Sequence, residues 1–365
     1  GRIHATLAQA PAPLGAGRSN GIPVRMRIMA RMGWRCPMGP PIAAAMKHAQ
    51  RICTSSRAAG QGLWEEGRAQ GHLPVLLSEV VEAFEGRTLR VFVDATLGNG
   101  GHADAILKSH PEIELYIGMD DDPSALELSK ERLRPFAAKT KFVHGNFRNY
   151  EAIVGRALDQ HLPPGGGGVD GILADLGMSS MQVDSDARGF SFMRTGPLDM
   201  RMNPGASLSA WNVVNEYSEH DIGTILKDFG EERHWKRLAR AIVLARADGP
   251  IETTTELAQV VARNSPGRKK RNPTKGTKGI HPATRAFQAI RIAVNGELEA
   301  IDKGLPAMVK SLRSGGRMAV VSFHSLEDRR VKHTFQKSAG IKSAQGTVTK
   351  LERYSGIRAS PSGQP

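Results

Sequence analysis

Cysteine is nearly absent: the 365 residues hold two, Cys36 and Cys53, both near the N-terminus. A disulfide framework is therefore excluded for the rest of the chain, which suits a reducing compartment. Any chemistry there that needs a thiolate is excluded with it. Aromatic residues are scarce at 5%, and no apolar run is long enough to span a bilayer, so no membrane partner is expected. Acids are missing from residues 1–64, which carry nine Lys or Arg. They are missing again from Arg263–Lys278, which carries seven. Of the 50 bases, 34 lie elsewhere, facing all 36 acids. The formal charge of +14 is thus concentrated in two segments of an otherwise near-neutral chain. The histidines show no ligand spacing with Cys, Asp or Glu, so no metal site is expected.

What is present divides the chain into zones. Residues 1–70 are rich in Ala, Gly, Arg and Met and show no sustained apolar period. An Arg-rich, acid-poor composition reads as a transit peptide, and no uninterrupted apolar core marks a secretory signal. The competing reading is a disordered basic tail that binds RNA without sequence preference. From residue 71 the pattern changes. Arg90–Ala95, Glu114–Met119, Lys141–His144 and Val169–Leu176 read as strands, with helices over His102–Lys108 and Ser124–Leu133 between them. Such alternation predicts a parallel sheet covered by helices, over residues 71–178. The alternation then stops. Glu219–Phe229, Glu232–Arg246 and Thr254–Arg263 have helical spacing, so residues 179–282 read as a helical insertion that recognises substrate. The sheet pattern resumes over 283–337, with one long helix, Ala283–Leu305, and a strand, Arg317–Phe323. Residues 338–365 form a tail.

The first strand ends in Asp94-Ala-Thr-Leu-Gly98-Asn-Gly100-Gly101-His102. Glycines belong where the backbone must turn sharply and approach a ligand closely. The second strand ends in Asp120-Asp121-Asp122, where a carboxylate can accept both ribose hydroxyls of an adenosine cofactor. Gly98-x-Gly100-x-x-Ala103 also satisfies the dinucleotide fingerprint, which keeps a nicotinamide-dependent oxidoreductase open. Two features favour S-adenosylmethionine. Asp94 sits where a carboxylate would face a cationic methionine moiety and would not help a diphosphate. Asp175 ends the fourth strand, among the polar groups expected near an adenine edge and a transferable methyl. Phe147 follows the third strand, where its face can pack on adenine. The basic residues Arg268, Lys269, Lys270, Arg271, Lys275 and Lys278 can neutralise phosphates. A noncatalytic RNA-binding assembly factor is the remaining alternative.

Several strings together carry a more specific resemblance. They are His72-Leu-Pro-Val-Leu-Leu77, Asp94-x-Thr-x-Gly-x-Gly-Gly-His102, Asp170-Gly-Ile-Leu-Ala-Asp-Leu-Gly177, Arg188-Gly-Phe-Ser-Phe192 and Gly196-Pro-Leu-Asp-Met-Arg-Met202. Gly230-Glu-Glu-Arg233, His281-Pro-Ala-Thr-Arg285 and Ser322-Phe-His-Ser-Leu-Glu-Asp328 complete the set. From His72 to about Phe335 the chain resembles the MraW/RsmH family of ribosomal RNA cytosine-N4 methyltransferases. The resemblance implies an α/β, Rossmann-like class I methyltransferase core with a helical insertion. It implies S-adenosylmethionine contacts at Gly100, Gly101, His102, Asp120, Phe147, Asp175 and Gln182. The implied partner is small-subunit ribosomal RNA or the assembling small subunit. Three stretches depart from the bacterial pattern: Gly267–Gly279 is longer, the family's usual ending is not recognisable after Lys337, and the N-terminal extension is foreign to it. A bacterial-type ribosomal enzyme behind a basic leader implies an organelle ribosome, in the chloroplast stroma ahead of the mitochondrial matrix. Neither a monomer nor a homodimer is preferred.

Transfer of a methyl group to an exocyclic amine needs an acceptor for the amine N–H. Asp175 is the first candidate, with Ser179, Ser180 and His324 as further contributors. Methylation of the cytosine ring carbon commonly needs a thiolate, and no cysteine follows Cys53.

Overall fold

Short, largely apolar runs form the strands at the centre of the molecule, as parallel strands buried on both faces require. The computed structural model describes residues 3–9, 25–32, 74–161, 168–265 and 281–340. They fall into two units: the chain up to Gly177 together with that from Leu298 onward, and Met178–Glu297 between.

In the first unit, β1 (Ile3–Gln9) and β2 (Arg25–Met32) precede α1 (Leu77–Phe84), β3 (Val91–Asp94), α2 (Gly101–Ser109), β4 (Leu115–Asp120), α3 (Pro123–Arg132), β5 (Thr140–His144), α4 (Tyr150–His161) and β6 (Val169–Asp175). The second unit holds α5 (Ser180–Asp184), α6 (Ala210–Glu216), α7 (Glu219–Asp228), α8 (Trp235–Arg246), α9 (Thr254–Asn264) and α10 (Ala283–Asn295). α11 (Glu297–Ser311), β7 (Leu312–Ser322) and α12 (Ser325–Ser338) close the chain's described part.

The sheet runs β2-β1-β7-β6-β3-β4-β5. Strands β7, β6, β3, β4 and β5 are mutually parallel, while β1 is antiparallel to both β2 and β7. Successive strands step one way from β3 to β5 and the other way from β6 to β7. The reversal between β3 and β6 is the switch point at which open α/β sheets bind ligands, outside the carboxyl ends of the strands. In the core beneath it, the Phe92 ring lies 5.0 Å from Phe84, edge-on, and stacks on Tyr116 at 5.3 Å. Gly171 on the neighbouring strand makes this possible, because a Cβ there would lie 2.4 Å from the Phe92 ring.

The five parallel strands match the sequence expectation, with ends shifted by one or two residues except that β7 starts earlier, at Leu312. Three expectations are corrected. Residues 1–70 contain two strands of the sheet. β1 pairs with β7 from His4↔Ser322 to Gln9↔Arg317, and Ala5, Thr6, Leu7 and Ala8 are buried. The residue types over 25–32 alternate Arg with apolar side chains for most of their length, a strand period that composition alone conceals. Ala283–Leu305 is two helices, because Gly296 takes a left-handed conformation (φ +58°) and caps α10. The insertion therefore extends to Glu297, and α10 packs on α7, α6 and α9 within the second unit instead of belonging to the core. Residues 266–280, with the six basic residues named above, lie outside those described.

Ala8 is wholly buried, so Ala8→Asp places a carboxylate without a partner in the sheet layer. The full chain is expected to lose about 2–4 kcal/mol of stability, measured by denaturant unfolding. An unchanged unfolding midpoint would show that β1 does not seat on β7 in solution.

Candidate active site

Three adjacent parallel strands end in aspartate: Asp94 on β3, Asp120 on β4 and Asp175 on β6. Each is fixed by neighbouring groups. Asp94 accepts from the Thr96 backbone N–H at 3.1 Å and from the Tyr116 hydroxyl at 3.0 Å. Thr96 also ties the next strand in, since its Oγ1 accepts from the Asp175 backbone N–H at 2.6 Å. Asp120 accepts from the backbone N–H groups of Gly98 at 2.7 Å and Asp122 at 2.8 Å. The acids that follow it have other work. Asp122 caps α3 through the Ser124 N–H, and Asp121 accepts from the Asn146 amide at 2.8 Å. Of the three consecutive acids, Asp120 is the one bound to the glycine turn.

The turn between β3 and α2 fits a ligand. Gly98 (φ +54°) and Gly100 (φ +76°) are left-handed, and a Cβ on Gly98 would meet nothing within 4 Å. Open space over a left-handed glycine is what close approach of a cofactor requires. Gly101 faces the protein instead: a Cβ there would lie 2.5 Å from Pro74 Cγ. His102, in the first turn of α2, brings its Nε2 within 3.5 Å of Asp175 Oδ2. Neither His102 ring nitrogen nor Asp175 Oδ1 has a hydrogen-bond partner among the described residues.

Burial dominates the electrostatics. It pushes the Asp94 carboxyl up to about 7, with the hydrogen bonds from Thr96 and Tyr116 acting the other way. Burial likewise lifts Asp120 to about 6. Asp175 stands well above the usual carboxylate range, through burial first and then the charges of Asp94 and Glu327. Burial lowers the His102 imidazole to about 4. Lowered in this way, the His102 imidazole meets Asp175 as a neutral ring at neutral pH, not as an ion-pair partner. Carboxyls held above their ordinary range by burial and by one another favour a cation that restores their ionised forms.

The other expected site residues are placed as follows. Phe147 is half-buried at the start of a short 3-10 turn, Phe147–Asn149, capped by Asn146. It packs against Gly304 of α11, where a Cβ would lie 2.7 Å from its ring. His324 is the N-cap of α12 in a reciprocal capping box with Glu327, whose buried carboxylate accepts from the Phe323 and His324 N–H groups. His324 thus has a structural task at the start of α12. In the second unit, Ser179 and Gln182 are the two halves of the capping box that starts α5, and Ser180 is its first residue. Tyr116, Thr96 and Glu327 were missed by sequence reasoning. A tyrosine in a buried strand reads as core, and only the register Asp94↔Gly118 shows that Tyr116 can reach Asp94.

An open parallel sheet with a glycine turn after its first core strand, and with aspartates at the switch point, defines a Rossmann-like methyltransferase. The chain belongs to the MraW methylase family, whose profile matches residues 69–353. It is 47% identical over 271 residues to the ribosomal RNA small subunit methyltransferase H of Protochlamydia amoebophila (strain UWE25), covering 74% of this chain and 81% of that protein. The protein of the same name from Geobacter sulfurreducens is 46% identical over 270 residues, covering 73% and 82%. Among solved structures, an rRNA methylase from Streptococcus thermophilus aligns over 28% of this chain and 52% of its own, at 18% identity and a TM-score of 0.20. The cofactor is S-adenosylmethionine, and the acid-lined turn fits its two cationic centres. The nicotinamide alternative falls with the family membership.

Because burial raises the folded-state pKa of Asp94, its protonated form stabilises the fold below about pH 4, and this contribution is lost as pH rises through about 7. The ligand-free protein is expected to melt at a lower temperature above neutrality than at about pH 5, and Asp94→Asn to flatten that trend. Cofactor affinity should rise by up to about tenfold per pH unit below about pH 7, with proton release on binding. Calorimetry in buffers of different ionisation enthalpy measures both, and pH-independent affinity would remove Asp94 from the cation-facing role. Separately, Asp120→Ala should weaken cofactor binding by about 1.5–3 kcal/mol. Unchanged affinity would leave the ribose without Asp120 as its acceptor.

Proposed function

We propose that this protein transfers a methyl group from S-adenosylmethionine to the exocyclic N4 amine of a cytosine in small-subunit ribosomal RNA. The observation that carries the reading is the half-buried Asp175 carboxyl at the switch point, with one oxygen unpaired among the described residues. Relatives named as ribosomal RNA small subunit methyltransferase H support the substrate. When bound, S-adenosylmethionine supplies a methyl group carried on a sulfonium.

The chain's own residues have three tasks. Gly98 leaves room for the cofactor, Asp120 accepts the ribose hydroxyls, and Asp94 faces the cationic methionine end. Asp175 accepts an N–H of the cytosine amine. Withdrawing that hydrogen localises the nitrogen lone pair, which is otherwise delocalised into the ring. The proton that the amine gives up on methylation would pass to the Asp175 carboxylate. A carboxyl with a raised pKa suits that final step, because it holds the proton it receives. A cation beside it, as in the loaded site, favours the ionised starting form.

The acid-free composition of residues 1–64 supports delivery to an organelle, the chloroplast stroma ahead of the mitochondrial matrix. The ladder of β1 on β7 adds a condition. A leader cleaved beyond Gln9 would take β1 with it and leave the edge of β7 unpaired.

Asp175→Asn keeps the shape and removes the charged acceptor. Single-turnover rates with saturating cofactor are expected to fall by about 10²–10³, with cofactor affinity little changed. Weakened affinity with a normal rate at saturation would reduce Asp175 to a cofactor ligand. Mass spectrometry of the treated RNA should find N4-methylcytidine. Detection of C5-methylcytidine would falsify the mechanism, since no thiol follows Cys53.

A further inference from the structure

Helix α8 contains four bases and no acid in the run Trp235-Lys-Arg-Leu-Ala-Arg-Ala-Ile-Val-Leu-Ala-Arg246. Its inner face buries Leu238, Ala239 and Ile242. Arg246 serves the fold, donating to the backbone carbonyls of Val214 and Tyr217, each at 2.6 Å. The others do not. Lys236, Arg237 and Arg240 are exposed, as is Arg233 just before the helix. Among the described residues, none of these four has a carboxylate within ion-pair distance. Lys236 and Arg240 are four residues apart on the helix, a spacing at which like charges repel. A merely solvated helix face usually intersperses both signs. This one holds one sign at a cost in stability.

Trp235 lies in the same patch. Its half-buried indole rests over Gly223 of α7, where a Cβ would lie 2.9 Å from the ring. The Lys227 and Lys236 ammonium groups stand 5.6 and 5.3 Å from the ring centroid. The result is an aromatic ring framed by cations, continued by arginines over about 10 Å of helix. An anionic peptide would satisfy the charges and leave the ring unused. A single-stranded nucleic acid uses both, with phosphates on the bases of the helix and a nucleobase on the indole.

We propose that the α8 face, made by Arg233, Trp235, Lys236, Arg237 and Arg240, is a docking surface for single-stranded RNA. It rests on the RNA substrate named above and places its phosphate backbone on described residues of the second unit.

The test uses the full chain and a short single-stranded RNA oligonucleotide of mixed sequence, with binding followed by fluorescence anisotropy across salt concentrations. In the combined variant Lys236→Gln, Arg237→Gln, Arg240→Gln, the slope of log affinity against log salt should shrink by about 2, from three lost phosphate contacts. Affinity at low salt should fall at least about tenfold. Cofactor affinity should stay as in the unmodified chain, and the melting temperature should not fall. Should the combined variant misfold, Arg237→Glu alone is expected to reduce the slope by about 1. RNA should quench intrinsic tryptophan fluorescence in the unmodified chain, and Trp235→Phe should abolish most of that quenching. An unaltered salt slope in folded variants overturns the proposal. So does polyglutamate binding as tightly as RNA, with Trp235→Phe affecting neither. Methyl transfer assayed in the same samples separates the two readings. Salt-sensitive binding through α8 without any methyl transfer removes the proposed activity and leaves the surface, whereas methyl transfer with an unaltered slope does the reverse.

Discussion

Burying a carboxyl group is costly, and this sheet ends three neighbouring strands with one. Asp94, Asp120 and Asp175 close β3, β4 and β6. Side by side, they raise one another's proton affinity. Asp94 and Asp120 are held by backbone N–H groups at the start of turns, so they cannot swing out to water to relieve the repulsion. In the ligand-free protein the remaining relief is protonation. A bound cation offers the alternative. The glycine turn, the switch point and the fixed backbone donors all serve to hold acids where a cation will later sit, so the site is organised before its ligand arrives.

The positions of these acids descend from the core. Gly171 yields its side-chain space to Phe92, Phe92 stacks on Tyr116, and the Tyr116 hydroxyl donates to Asp94. Thr96 carries the constraint sideways, donating through its N–H to Asp94 and accepting the Asp175 N–H on its hydroxyl. A packing change at Phe92 would therefore move a functional carboxyl that it does not touch. Rigidity matters here because a misplaced donor or acceptor near a reacting atom forfeits much of its effect.

How much of this could be read from the sequence depended on the range of the signal. Strands β3, β4 and β6 were legible because largely apolar runs ending in Asp are local patterns. The glycine turn and Asp120 were legible for the same reason. The break at Gly296 was not, since amphipathic spacing continues through it and only a left-handed backbone marks the end of α10. His324 and Ser179 read as chemistry because both are polar residues beside strand ends, yet each caps a helix. A capping box and a catalytic group use the same residue types, so the capping role could not be read from the sequence alone. β1 was hidden by its setting, a seven-residue strand inside a segment whose composition spoke for targeting.

The two charge signs are handled by opposite physics. The acids are few, buried or half-buried, and close together, so their interaction with a cation is stronger and less screened by salt than at the surface. Lys236, Arg237 and Arg240 of α8 are exposed and, among the described residues, without a carboxylate partner, so each interacts weakly and salt weakens all of them together. A small cationic cofactor needs the first arrangement, because its affinity comes from a handful of contacts in a dry site. A long polyanion needs the second, because many weak contacts permit rapid, reversible association before one base is chosen. Exchanging the arrangements would fail on both counts: buried bases would pay desolvation for a flexible chain, and exposed acids would leave the cofactor held through water. Outside its two acid-free segments the sequence carries nearly equal numbers of acids and bases. That balance conceals a separation of sign that follows from the opposite charges of the two molecules bound.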